Sequence, residues 1–111
     1  MDLLKARKIK FKAWNTESRL LLRLHSIDCN RGELQKRNHI LLQFTGLYDK
    51  EGEEVYELDV LLADCIQYVT FWDEAAPGWA LAPLSDLSAA RPLTAAGLAG
   101  MKRFCSYCEM R

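Results

Sequence analysis

Apolar and polar residues alternate with a period of two through most of residues 8–84, and that pattern limits the chain to strands with one buried face. From Lys8 to Trp14, Ile9, Phe11 and Ala13 point one way and Lys8, Lys10 and Lys12 the other. Asn15-Thr16-Glu17-Ser18 is a turn cluster. Arg19 to Ser26 alternates again, with Leu20, Leu22 and Leu24 opposite Arg19, Leu21, Arg23 and His25. Asp28 to Asn38 is polar and irregular and reads as a loop. Ile40 to Thr45 forms a third strand with Ile40, Leu42 and Phe44 inward, and Gly46 closes it. Asp49-Lys50-Glu51-Gly52 has the composition of a tight turn with glycine in the left-handed position. Glu54 to Leu62 reads as one strand, and Cys65–Trp72 with Trp79–Leu84 as an antiparallel hairpin around Pro77-Gly78.

After Pro83 the composition turns to Ala, Leu, Ser and Gly. Thr94 can cap a helix from Ala95 to about Tyr107, with Leu98, Met101, Cys105 and Cys108 at helical spacing. Gly97 and Gly100 each cost such a helix about 1 kcal/mol relative to alanine, so packing must hold it. Six strands and one late helix make a mainly β domain of small-barrel type. At 111 residues and 12.7 kDa the chain builds one core, and its hydrophobic half excludes wholesale disorder.

Fifteen basic and fifteen acidic side chains cancel, which argues against a basic DNA-coating protein and an acidic DNA mimic alike. The cancellation is uneven. Residues 1–40 sum to +6, residues 41–90 to −9 and residues 91–111 to +3. Two readings follow: halves that neutralise each other within one particle, or a basic and an acidic face that favour head-to-tail association or a charged ligand. The longest apolar runs, such as Leu20–Leu22, are far too short to span a membrane. The opening Met1-Asp2-Leu3-Leu4-Lys5 lacks a signal-peptide pattern, so a cytoplasmic protein is expected.

Two stretches resemble a known family. Leu42-Gln43-Phe44-Thr45-Gly46-Leu47, Asp49-Lys50, Gly52, Val55-Tyr56-Glu57 and Asp59-Val60 resemble the signature of the YopX family of small phage and prophage proteins. Lys8-Ile9-Lys10-Phe11-Lys12-Ala13-Trp14-Asn15 resembles the family's opening motif, in the right order and place. The resemblance implies an N-terminal β element over residues 1–52 and an SH3-like barrel part over residues 53–90; residues 91–111, helical by their spacing, form a divergent tail of the same domain. It implies a bacterial mobile-element origin and no particular activity. The family's glycine before the aspartate is Leu58 here, which changes that turn, and the family's usual closing strand is absent from the tail.

Candidate chemistry is sparse. Cys105-x-x-Cys108 can supply half a zinc set, with Cys29, Cys65, His25 and His39 as further thiols and imidazoles. Without a second pair, two small apolar side chains in a reducing cytosol is the plainer reading, and no metal or cofactor is expected. Glu57 and Asp59 can share a strand face and hold Mg²⁺, or simply line a solvated face, with Asp59 shaping a turn. The sequence contains no Gly-x-Ser-x-Gly, Walker loop or His-Glu-x-x-His, so no enzyme is expected. Lys8, Lys10 and Lys12, joined by Arg19 and Arg23 near Trp14, make a basic stripe for nucleic acid, or an edge strand guarded by lysines. Tyr68, Trp72 and Trp79 flank the hairpin loop and can line a peptide groove or form cross-strand pairs. The expectation is a self-associating phage-type interaction module with a protein partner, the alternative a nucleic-acid-binding accessory protein.

Overall fold

A computed structural model of the chain describes residues 3–111, so Met1 and Asp2 of the opening segment lie outside the described residues. The N-terminal half supplies β1 (Phe11–Asn15), β2 (Leu20–Arg23), β3 (Asp28–Asn30), β4 (Glu33–Gln35), β5 (His39–Tyr48) and β6 (Glu54–Tyr56). The C-terminal half supplies β7 (Asp59–Ala63), β8 (Ile66–Asp73), β9 (Gly78–Pro83) and β10 (Arg91–Pro92). It ends in α1 (Ala95–Leu98), β11 (Lys102–Ser106) and a 3-10 turn, Tyr107–Met110. Four strands form an antiparallel sheet in the order β2-β1-β5-β6, and five form a curled half-barrel in the order β10-β9-β8-β7-β11. The mainly β fold with a short C-terminal helix is as the alternation implied.

The two sheets share their cores. Val55 and Leu47 of the first pack with Leu61 and Leu81 of the second beneath Leu98 and Met101. Trp14 and Leu42 pack with Cys108 of the closing turn, against Leu21 and Leu58. Leu21 therefore faces the core, while Leu20 and Leu22 face outward; Ile9 and Ile40 also stay exposed.

Three local expectations are corrected. Residues 28–38 are not a plain loop but contain the β3–β4 hairpin, turned by Arg31 and Gly32 at φ +54° and +85°. Residues 54–62 are not one strand. The chain turns between β6 and β7, with Leu58 at φ +64°, because the buried Asp59 carboxylate accepts the Tyr56 N–H at 2.8 Å. Thr70 donates its hydroxyl to the Tyr56 carbonyl at 2.9 Å and fixes the other side. The helix stops at Leu98 rather than near Tyr107. Thr94 does cap it, accepting from the Gly97 N–H at 2.9 Å, but Gly97 and Gly100 weaken its continuation and strand pairing wins. β11 pairs with β7, Lys102 opposite Leu62 and Ser106 opposite Asp59, with a bulge between Arg103 and Cys105.

The two-residue turn between β7 and β8 places Asp64 at φ +50° and Cys65 at φ +66°. Tight hairpins of this hand favour glycine at the second position, and a side chain there costs roughly 1 kcal/mol. Cys65 is exposed and contributes nothing to either core cluster. Cys65→Gly is expected to raise stability by about 1 kcal/mol, read as a later urea midpoint at unchanged slope. An earlier midpoint would mean the thiol makes a native contact after all.

Candidate functional site

Register places Arg23 of β2 directly opposite Lys12 of β1, and Lys12 opposite Leu42 of β5, all on one face of the first sheet. On that face a cleft of about 440 Å³ opens, lined by Lys10, Lys12, Arg23, Glu54, Tyr56 and Arg103. Arg103 reaches it from β11, which lies on the second sheet. Lys10 is spent on Glu54, touching both carboxylate oxygens at 2.9 Å. That hydrogen bond raises the lysine and lowers the glutamate from their ordinary pKa values. Tyr56 also donates its hydroxyl to Glu54, at 3.2 Å. Asp59 is buried and accepts from Arg103 Nε at 3.0 Å; burial raises its carboxyl, while the Tyr56 N–H and Arg103 pull it back.

Lys12 is different. Its ammonium lies 4.4 Å from the centre of the Tyr56 ring, a cation–π contact worth about 0.5–2 kcal/mol. Burial lowers its pKa, and the neighbouring Arg103 charge lowers it further. Among the described residues neither Lys12 nor Arg23 has a carboxylate within ion-pair distance.

The five basic residues expected to form a stripe are thus divided. Lys10, Lys12 and Arg23 meet at the cleft. Lys8 precedes β1 and lines a separate shallow groove with Tyr48, and Arg19 lies at the end of the β1–β2 turn, 5.7 Å from the Trp14 ring centre. Arg103 was missed. It lies 44 positions from Asp59 in a segment that reads as helix, and no local pattern marks it.

The other candidates fall into structural places. Glu57 and Asp59 are separated by the Leu58 turn: a Glu57 oxygen accepts the Gln43 N–H at 3.4 Å, and Asp59 faces Arg103. Trp72 and Trp79 are register partners stacked edge to face at 5.1 Å, a cross-strand pair, while Tyr68 packs on the core beside Arg91. Cys105 is half-buried and Cys108 buried, and burial pushes both thiols above their ordinary value. Among the described residues no three His, Cys, Asp or Glu side chains gather as a metal set.

The family model described as YopX protein matches residues 1–90. This chain belongs to the YopX family. No curated protein matches the chain. Among solved structures it is similar to the crystal structure of protein EF1440 from Enterococcus faecalis, at 16% identity and a TM-score of 0.65. That likeness covers 94% of this chain and 96% of the other, and at such identity it speaks for the fold alone. Six per cent of 111 residues is about seven, so the shared fold extends into the 91–111 tail beyond the family match.

Two expected departures of this YopX-family chain look different in three dimensions. Leu58 adopts the left-handed backbone that a glycine would take there, so the turn is kept despite the side chain. A closing strand is present as β11, hidden in sequence behind the glycines and the short helix. No helix of the described residues is long and apolar enough to cross a membrane.

Proposed function

We propose that this YopX-family chain is a phage- or prophage-derived interaction module that works in the cytoplasm by binding protein, without catalysis, and that it associates with further copies of itself. The observation that carries the reading is the free edge of β2. Among the described residues this strand pairs only with β1 and ends its sheet, so its outer N–H and C=O groups are open to an added strand. Leu20 and Leu22 project from it, 58% and 37% exposed, on the face opposite the cleft. The edge holds no proline and no lysine between Leu20 and Arg23 to discourage pairing.

Charge selects the partner. Arg19 and Arg23 flank the edge within a half of the chain that sums to +6, whereas residues 41–90 sum to −9. A basic edge on one copy against the acidic half of the next is a heterologous contact, which closes into a ring or extends as a fibre. Wild-type protein is expected to sediment as a multimer at low salt and to dissociate as salt screens the contact. Leu22→Glu, which removes the apolar anchor and opposes the acidic surface, is expected to be monomeric at every salt concentration. A wild-type monomer across the concentration range, or a Leu22→Glu multimer, would overturn self-association through this edge.

A further inference from the structure

We propose that the cleft between β1, β2 and β11 binds a single phosphate group, held by Lys12, Arg23 and Arg103. Three strands bring three cations to one concavity, two of them directly opposite each other in the sheet, where like charges destabilise pairing. The chain's nearby carboxylates relieve this only in part. Glu54 is hydrogen-bonded to Lys10 and Tyr56 and Asp59 to Arg103, so neither makes a direct ion pair with Lys12 or Arg23. With Lys10 and Glu54 cancelling, Lys12, Arg23 and Arg103 against Asp59 and Glu53 leave +1, a cationic concavity whose several donors suit a tetrahedral phosphate. Guanidinium forks suit phosphate oxygens bidentately, and the volume of about 440 Å³ leaves room for an organic group beyond the phosphate, along Phe11.

Glu53 on the rim repels a neighbouring phosphate. The site therefore takes one terminal phosphate, free or on a mononucleotide, and does not track a backbone. This distinguishes it from the five-residue basic stripe, whose members Lys8 and Arg19 point elsewhere. Arg23 belongs to both this cleft and the β2 edge, but Leu22→Glu leaves all three cations in place and Lys12→Gln leaves the edge intact, so the two proposals fail separately.

Calorimetric titration of the full chain with inorganic phosphate and, separately, a nucleoside 5′-monophosphate tests it, with acetate at equal ionic strength as comparator. Saturable one-to-one binding of phosphate but not acetate is expected, weakening as added salt screens the contact. Tighter binding of the nucleotide than of phosphate identifies a nucleotide as the source, and equal affinity identifies free phosphate. Lys12→Gln and Arg23→Gln are each expected to weaken phosphate at least tenfold. Arg23→Gln is expected to melt no lower than wild type in phosphate-free buffer, since it removes a like-charge repulsion, whereas Lys12→Gln also gives up the contact with the Tyr56 ring. Lys8→Gln is expected to bind as wild type. Phosphate binding unchanged in Lys12→Gln, or heat indistinguishable from acetate, would overturn the site.

Discussion

Arg103→Met is expected to remove about 3–5 kcal/mol of stability at neutral pH, because it strands Asp59 as a buried, unpaired carboxylate. Asp59 is 1% exposed and its Oδ2 is shared between the Tyr56 N–H and Arg103 Nε. Against the marginal 5–15 kcal/mol of an ordinary domain, that loss is a large fraction of the total. The pH dependence identifies the cause. Without Arg103 the folded-state pKa of Asp59 rises further above its unfolded value of 3.8. The folded state then holds the proton more tightly, so stability falls as pH rises through that window and returns as pH falls back through it. Urea unfolding of Arg103→Met at pH 7 and pH 5 should show partial recovery at the lower value. Adding Asp59→Asn should restore stability at pH 7 by removing the bare charge. A deficit that ignores both pH and Asp59→Asn would mean that Arg103 acts through packing alone.

Asp49→Ala should cost nearly as much, about 3 kcal/mol, and lower the melting temperature by roughly 12 °C. Asp49 is buried, and its two oxygens accept three backbone N–H groups: Glu51 at 2.8 Å, Glu53 at 2.9 Å and Arg103 at 2.8 Å. One carboxylate thereby shapes the 49–52 turn and ties it to the edge strand β11. Burial pushes Asp49 up, but the N–H groups of Arg103, Glu53 and Glu51 outweigh it and hold its carboxyl below the ordinary value of 3.8. A depressed folded pKa gives stability that is complete above the unfolded value and is lost as pH falls through the folded one. Wild type should therefore lose this contribution only in strong acid, and Asp49→Ala should show a shallower acid limb below pH 4. Asp49→Asn retains one acceptor oxygen and should recover part of the loss. Equal melting of Asp49→Ala and wild type would show that water replaces the carboxylate without cost.

Much of this architecture can be read from local pattern. The alternation in residues 8–15, the Asp49–Gly52 turn and the Cys65–Leu84 hairpin all have sequence signals within a few residues of where they act. The β6–β7 turn escaped because leucine at position 58 suppresses the usual glycine signal, while the force that makes the turn comes from Asp59 and from Thr70 a strand away. The tail escaped because Leu98 and Met101 do keep helical spacing. Only pairing with β7 converts the residues after them into a strand. The cleft was half legible. Lys10, Lys12 and Arg23 stand out as basic residues on alternating strands, but the division between spent and unspent cations depends on Glu54, Asp59 and Arg103, which are brought together only by the fold.

β11 and the 3-10 turn after it follow every other element in chain order, and β11 supplies the cation for Asp59, the N–H for Asp49 and one edge of the half-barrel. A nascent chain lacking those residues carries a buried-type carboxylate with no counter-ion and an open β7 edge, beside a Trp14–Leu42 cluster that has not received Cys108. Domains that close on early segments can fold while translation continues. This one must wait until β11 has been made, and until then the leucines of its first strands are the surface that a chaperone would meet.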